Sequence, residues 1–98
     1  MARFDVFRSR NGQIYLLDCQ ADTLDYFQTR FVVPLMSEAA AKKTGRLHPD
    51  FEIQGKRLIM ATQLATAISV RELGEKITNL SSQHIAIMDA LDMLITGY

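Results

Sequence analysis

Two short apolar stretches joined through an Asn-Gly pair open the sequence and predict an N-terminal β-hairpin. The first stretch runs from Phe4 to Arg8 and the second from Gln13 to Asp18. Between them lies Ser9-Arg10-Asn11-Gly12. Because Asn-Gly adopts positive φ at low cost, we expect a type I′ turn there. The chain therefore begins as antiparallel β-structure.

The next apolar run, Arg30 to Leu35, predicts a third strand. It follows a polar segment, Ala21 to Thr29, which shows no period and is expected to form a loop. Pro34 has no backbone N–H to give to a neighbouring strand. We therefore expect this strand to end at Pro34 or to lie at an edge of the sheet.

The second half of the chain also predicts short strands. Gln54-Gly55-Lys56 separates two apolar runs, from Phe51 to Ile53 and from Arg57 to Ala61, and indicates a second hairpin. Thr66 to Val70 alternates apolar and polar side chains, as a strand does. The following segment, 71–80, stays ambiguous, because its glycine interrupts any helical pattern.

Two helices complete the predicted elements. Ser37 offers an N-cap for a two-turn helix over Glu38 to Thr44, which Gly45 would end. Ser82, or the serine before it, offers the cap of a longer helix that extends to Ile95. The apolar residues of this helix follow the 3.6-residue period, and they are Ile87, Met88, Leu91, Leu94 and Ile95.

The C-terminal helix carries more apolar surface than one core face needs. Met88, Met93 and Tyr98 add apolar side chains at further angles, and Gly97 marks the expected end of the helix. Left bare, these residues would form an exposed apolar patch. We therefore expect a second copy of the chain to cover the helix in a symmetric dimer.

Length and composition fit one small domain over residues 1–98. Hydrophobic residues make up 48% of the chain and charged residues 22%, which is too apolar for a disordered protein. Lys+Arg and Asp+Glu are 11 each, and this balance argues against general nucleic-acid binding. The elements together indicate an α+β, mostly β fold, a small barrel or sheet with a C-terminal α-helix.

No catalytic, cofactor-binding or metal-binding motif stands out. The two histidines, His48 and His84, lack the spacing of a zinc site. Three aspartates over residues 18–25 are best interpreted as turn-capping residues. The single cysteine, Cys19, excludes an intrachain disulfide and fits a reducing compartment. No apolar run approaches the roughly 20 residues of a membrane span, so we expect a cytoplasmic protein without membrane contact.

Five segments match, in order, the pattern of one known family. They are Arg3-Phe4-Asp5-Val6-Phe7, like its opening strand; Leu17 to Asp25, like V-D-V-Q-S-D-I-I-D; Arg30 to Leu35, like R-x-V-I-P-L; Leu58 to Ala65, like M-x-T-x-x-M-A; and Met88 to Ile95 with Gly97, like the closing A-I-x-x-x-x-x-G-I. In this order the chain resembles, over essentially its whole length, the CcdB family of plasmid and chromosomal toxins.

The resemblance implies a homodimeric toxin, not an enzyme, on an SH3-like barrel with a C-terminal helix. Such toxins bind the A subunit of DNA gyrase and trap it while it holds cleaved DNA. A cognate antitoxin covers the toxin through a tail that becomes ordered on binding. The complex represses its own operon, with operator DNA contacted only through the antitoxin. No cofactor is implied.

The resemblance also implies two sets of contact residues. The gyrase-binding positions fall at Ala21, Thr23, Leu24, Asp89, Asp92, Ile95, Thr96, Gly97 and Tyr98. The antitoxin-binding positions fall at Arg8, Ser9, Arg10, Asn11, Lys42, Lys43 and Arg46. Thr96 stands where the best-known member has a tryptophan, and Tyr98 stands where it has the final isoleucine.

Two other functions compete with gyrase poisoning. An endoribonuclease of the MazF/Kid class uses the same barrel, but it needs an acid–base set and a cationic cleft. The balanced charge and the lack of a convergent His, Arg and Asp set in the sequence argue against it. The other alternative is a non-toxic CcdB-like protein that has lost gyrase poisoning, which Thr96 suggests.

Overall fold

Seven antiparallel strands and one α-helix make up the part of the chain that the structure, a computed structural model, describes. It describes residues 1–38 and 45–97. The strands and the helix are β1 (Asp5–Ser9), β2 (Tyr15–Asp18), β3 (Thr29–Ser37), β4 (Asp50–Ile53), β5 (Lys56–Met60), β6 (Thr66–Ser69), β7 (Leu73–Asn79) and α1 (His84–Thr96).

The strands form one sheet in the order β4-β5-β3-β2-β1-β7, and β6 pairs with β3 beside β5. Alternate side chains on β1, β2 and β3 face α1 and build one core around Val6, Leu17 and Val33. On α1, the matching buried residues are Ile87 and Ala90. The α+β, mostly β fold with a small sheet and a C-terminal helix is therefore confirmed, with seven strands where the sequence suggested about five.

Both predicted hairpins form, but the type I′ turn lies in the second one. A type I′ turn needs positive φ at both central residues. Gln54 and Gly55 have φ of 53° and 76° and connect β4 to β5 in two residues. In the first hairpin only Gly12 has positive φ, because the Asn11 side chain instead accepts a hydrogen bond from the Gln13 N–H. The type I′ prediction for Asn-Gly was therefore wrong.

Pro34 neither ends β3 nor lies at an edge of the sheet, so that expectation was also wrong. On one side, β3 pairs along β2; on the other, residues 29–32 pair with β6 and residues 35–37 with β5. Pro34 falls at the change of partner, where its carbonyl accepts a hydrogen bond from Ala61 N–H. A backbone N–H at this position would point to the same side of the strand as the carbonyl, where the partner strand changes. Its absence therefore removes no hydrogen bond between strands.

The ambiguous segment 71–80 contains β7, and Gly74 is required there by close backbone contact. A Cβ at Gly74 would lie 2.7 Å from the carbonyl oxygen of Arg8 and 3.1 Å from that of Ser9. The register between β1 and β7 shifts at this end. A glycine that disfavours a helix here permits a tightly packed strand instead.

The C-terminal helix forms over His84–Thr96, close to the predicted range. Gly97 ends it with φ of 83° and donates its N–H to Met93 O, as expected. No serine side chain caps its start; a 3₁₀ turn over Ser81–Gln83 leads into it, and Asn79 accepts a hydrogen bond from the Ser81 N–H. The predicted short helix over Glu38 to Thr44 falls almost wholly outside the described residues.

Within residues 1–38 and 45–97, no helix has the length and apolar character needed to cross a membrane.

Gly74→Ala should destabilise the protein by about 1–3 kcal/mol, because the new methyl group meets two backbone carbonyls that cannot rotate away. Urea unfolding followed by circular dichroism measures the change in free energy. The matched control is Glu75→Ala, at the exposed neighbouring position of the same strand. Equal stability of both variants would show that β1 and β7 are not packed this closely.

Candidate functional site

A buried ion pair joins the end of β2 to the start of β3. Arg30 Nη2 lies 2.6 Å from Asp18 Oδ2, and Arg30 Nε donates a hydrogen bond to the same oxygen at 2.9 Å. Neither side chain is exposed. Burial raises the pKa of the Asp18 carboxyl, and the hydrogen bond from Arg30 offsets only part of that rise. The pair ties together the two ends of the segment 19–29, which carries part of the predicted gyrase surface.

Gln20 fixes this segment from within. Its Nε2 donates a hydrogen bond to Leu24 O at 2.7 Å, and its Oε1 accepts one from Phe31 N–H at 3.0 Å. Ala21 precedes a single 3₁₀ turn over Asp22–Leu24. In this turn the side chain of Leu24 is 39% exposed. One amide side chain therefore holds the predicted contact residues of this segment in place.

An exposed aromatic pair continues this surface, and sequence reasoning missed it. The rings of Tyr26 and Phe27 lie 4.5 Å apart between centroids, and the two residues are 71% and 47% exposed. Exposed aromatic side chains are enriched at protein interfaces. The signal in the sequence that could have predicted this pair is two adjacent aromatic residues in an otherwise polar loop.

The second group of predicted gyrase-binding residues lies on the outward side of α1. Asp89, Asp92 and Thr96 are exposed, and Ile95 is 77% exposed. The Thr96 hydroxyl donates to Asp92 O at 2.7 Å, so the helix itself satisfies that donor. Gly97 follows directly, and Tyr98 lies outside the described residues.

In one copy of the chain, the C-terminal end of α1 lies away from the segment 21–24. Asp22 and His84, the first residue of α1, line the same cavity, so the segment 21–24 lies near the start of the helix. Thr96 is the last residue of the same helix. A 13-residue helix is about 20 Å long. Thr96 and the segment 21–24 therefore lie at opposite ends of α1, whereas Asp89 is only about 8 Å from His84 along the helix axis.

A groove of about 320 Å³ lies between the first hairpin loop and β6. Its polar lining includes three of the predicted antitoxin-binding residues, Ser9, Arg10 and Asn11. Arg10 Nη1 donates to Arg71 O at 3.3 Å, which keeps this exposed cation beside the groove. Apolar side chains also line the groove, among them Leu16, Val32, Pro34 and Ile68.

The other predicted antitoxin-binding residues do not line this groove. Arg8 lies on the opposite face of β1, with its guanidinium 5.0 Å from the centre of the Tyr15 ring. Arg46 is exposed in a 3₁₀ turn over Gly45–Leu47. The remaining two, Lys42 and Lys43, lie outside the described residues.

A second cavity, of about 290 Å³, lies at the start of α1 and corrects one inference from the sequence. Arg3, Asp22 and His84 all line it, together with Ser81 and Phe4. Sequence reasoning found no convergent His, Arg and Asp set, because these residues are up to 81 positions apart in the chain. The fold brings them to one place.

The other candidate chemical groups have structural roles. His48 is buried and its Nε2 lies 2.7 Å from Gln63 Oε1. Burial raises the pKa of the Cys19 thiol to about 12, so it stays protonated and unreactive near neutral pH. Within the described residues, no three His, Cys, Asp or Glu side chains are placed to hold a metal ion.

Comparison with known proteins gives one family and one fold. A family model described as CcdB protein matches residues 3–97. A comparison with curated protein sequences gave no match.

Solved structures with similar folds include an endoribonuclease from Mycobacterial species, with a TM-score of 0.80 and 14% identity over 97% of this chain and 90% of that one. The Mycobacterium tuberculosis toxin MazF-mt6 has a TM-score of 0.77 and 15% identity, over 95% of this chain and 96% of that one. A Mycobacterial endoribonuclease in complex with its cognate antitoxin has a TM-score of 0.78 and 15% identity, over 97% and 94%. At these identities the similarity shows a shared fold.

Arg30→Met should destabilise the protein by about 3–5 kcal/mol at pH 7.5, because it leaves Asp18 as an unpaired buried charge. Without Arg30, the pKa of Asp18 in the folded state rises further above its unfolded value. Because the folded-state pKa then exceeds the unfolded-state value, the protein loses stability as the pH rises through the folded-state pKa. The stability lost through Arg30→Met should therefore be smaller at pH 5 than at pH 7.5. Urea unfolding at the two pH values measures it.

Two further variants test the origin of this cost. Asp18→Asn combined with Arg30→Met should recover much of the stability, because no buried charge remains. Arg57→Met, which removes an exposed pair with Asp50, should cost no more than about 1 kcal/mol. A loss in Arg30→Met that does not depend on pH would contradict the charge-based explanation.

Proposed function

Because this chain belongs to the CcdB family of toxins, we propose that it is the single-domain, cytoplasmic toxin of a type II toxin–antitoxin pair that binds the A subunit of DNA gyrase. In this proposal the toxin traps the gyrase–DNA cleavage complex and performs no catalysis. A cognate antitoxin neutralises it, and the two together repress their operon, with the antitoxin contacting the DNA. The match of the family model over residues 3–97 carries the proposal.

The exposed end of α1 supports a binding role. Ile95 is 77% exposed beside Thr96 and Gly97, at the end of a helix whose opposite face is buried. Apolar side chains at an exposed helix end are suited to wedge into a partner. Thr96 places a methyl group there, since its hydroxyl is bonded within the helix.

The segment 21–24 is the second part of the proposed gyrase surface. Leu24 is exposed in a turn that Gln20 holds by its hydrogen bond to the Leu24 carbonyl. This segment lies near the start of α1, and a homodimer presents it twice together with two copies of the helix. A two-fold axis then presents two equal surfaces to a two-fold gyrase dimer, and the two contacts act with avidity.

The groove beside the first hairpin is the proposed antitoxin surface. Its apolar lining and its polar residues Ser9, Arg10 and Asn11 suit an extended segment with apolar side chains. Arg10 and Glu72 both line the groove, so such a segment meets one positive and one negative charge there. A ribonuclease relative of the same fold is solved with its cognate antitoxin, which is consistent with this mode of control.

Purified gyrase with supercoiled plasmid DNA should accumulate linear DNA when this protein is added, after the gyrase is removed with detergent and protease. A variant that lacks residues 96–98 should need at least about tenfold more protein for the same effect, because the helix end is lost. Agarose gels measure the linear product. Glu75→Ala, far along the chain on β7, is the control and should act as the natural protein does.

Three results would decide against the proposed role of the helix end or against gyrase trapping as a whole. A truncated protein that traps gyrase as well as the full chain would refute the role of the helix end. Cleavage of added RNA in place of DNA linearisation would favour the endoribonuclease alternative. Neither activity, with normal growth on expression, would favour a non-toxic CcdB-like protein.

Addition of the antitoxin encoded beside the gene should abolish the linear product.

Light scattering should give a homodimer mass at micromolar concentration. Leu94→Lys should raise the dimer dissociation constant at least about tenfold, because it places a charge on the apolar surface of α1 that the second copy is expected to cover. Leu94 is 41% exposed and is not one of the predicted gyrase-binding residues. Ile14→Lys, at an isoleucine that is 43% exposed in the first hairpin loop, is the control and should leave the dimer unchanged. A monomer mass for the natural protein at every concentration would exclude the dimer.

A further inference from the structure

We propose that the cavity at the start of α1 binds the phosphate and ribose hydroxyls of a nucleotide unit. Four side chains converge on this cavity of about 290 Å³: Arg3, Asp22, Ser81 and His84. They offer a cation, a carboxylate, a hydroxyl and an imidazole, a set that matches both ends of a ribose phosphate. The inference goes beyond gyrase binding, and the two can fail separately because its test contains no gyrase.

His84 is held with one nitrogen available to a ligand. Its Nδ1 lies 3.0 Å from Ser81 O, and because a carbonyl oxygen only accepts, Nδ1 must carry the proton. Among the described residues, Nε2 has no hydrogen-bond partner. In the neutral ring with this tautomer, Nε2 carries a lone pair that accepts a hydrogen bond from a ribose hydroxyl.

Arg3 supplies the permanent positive charge. Its guanidinium lies 4.6 Å from the centre of the Phe4 ring, which holds the planar group in place. Within the described residues this guanidinium has no hydrogen bond or ion pair, although the Arg3 backbone makes both of its own. All of its donors therefore remain for a ligand, and a guanidinium can bind a phosphate through two parallel hydrogen bonds.

The backbone beside Arg3 is strained, which also marks this place. Phe4 has φ of 72°, a region that a bulky residue rarely occupies. Its N–H bonds to Asp18 O and its carbonyl accepts from Leu80 N–H, so two parts of the fold enforce the conformation. Strained residues held in this way concentrate at binding sites. Phe4 directly follows Arg3 and lines the same cavity.

Asp22 gives the cavity its selectivity for a sugar hydroxyl. Its Oδ1 accepts a hydrogen bond from Arg3 N–H at 2.7 Å, which orients the carboxylate, while the other oxygen keeps its lone pairs. A carboxylate repels a bare phosphate but accepts strongly from a ribose hydroxyl. The cavity is open to solvent and, at about 290 Å³, lies just below the volume of typical ligand pockets, which suits a ribose phosphate better than a whole dinucleotide.

The test is a titration of the full-length, ¹⁵N-labelled protein followed by two-dimensional NMR. The probes are inorganic phosphate, adenosine 5′-phosphate, its 2′,3′-dideoxy counterpart, and an RNA tetranucleotide without terminal phosphates. We expect shifts centred on Arg3, Asp22, Ser81 and His84, and adenosine 5′-phosphate should bind about tenfold more tightly than the dideoxy compound. Tighter binding of the tetranucleotide would identify RNA as the source of the ribose phosphate, and tighter binding of the mononucleotide would identify a free nucleotide.

Variants separate this site from general charge attraction. Arg3→Met and His84→Ala should each weaken adenosine 5′-phosphate at least about tenfold. Asp22→Asn should instead bind inorganic phosphate more tightly and lose most of the preference for the ribose hydroxyls, an effect that a merely structural role would not produce. Arg71→Met, at an exposed arginine outside the cavity, is the control and should bind as the natural protein does.

Two results would overturn the proposal. The first is the absence of localised shifts with all four probes at millimolar concentration, in a protein whose spectrum shows that it is folded. The second is equal weakening by Arg71→Met and Arg3→Met, which would reduce the binding to nonspecific attraction of anions.

Discussion

The ion pair between Asp18 and Arg30 is the interaction on which one proposed binding surface, the segment 19–29, depends. It joins β2 to β3 on the face of the sheet away from α1, where neither group has access to water. Such a pair contributes little net stability, but removal of one partner is costly, so it acts as a strict requirement for both residues. The segment between them, 19–29, includes the 3₁₀ turn and the aromatic pair. The buried pair between Asp18 and Arg30 therefore sets the position of that segment, although it lies out of reach of any binding partner.

The two motifs most specific to the family meet in this contact. Asp18 and Gln20 come from the stretch that resembles V-D-V-Q-S-D-I-I-D, and Arg30 comes from the one that resembles R-x-V-I-P-L. Asp18 pairs with Arg30, while Gln20 bonds to the backbone of Leu24 and Phe31. The resemblance in sequence thus has a structural meaning, since its residues hold one loop against the sheet.

Local signals in the sequence located both hairpins, α1 and its end at Gly97, although they gave the wrong turn type for the first hairpin and a serine cap that α1 does not have. They failed where the outcome depended on residues distant in the chain. The effect of Pro34 depends on where β3 changes partner, and the need for Gly74 depends on the carbonyls of Arg8 and Ser9. The cavity formed by Arg3, Asp22 and His84 has the same origin, because only tertiary packing brings those residues together. Periodicity and turn chemistry carry no information about such contacts.

The two hydrogen bonds made by the Gln20 side chain have a consequence for the strength of binding. A loop that becomes ordered only on contact loses conformational entropy at that moment, and the loss weakens the complex. Here a single amide already fixes the backbone at Leu24 and Phe31 in the free protein. The surface is thus preorganised before binding. A partner that docks on it therefore forms its contacts with little loss of conformational entropy in the loop.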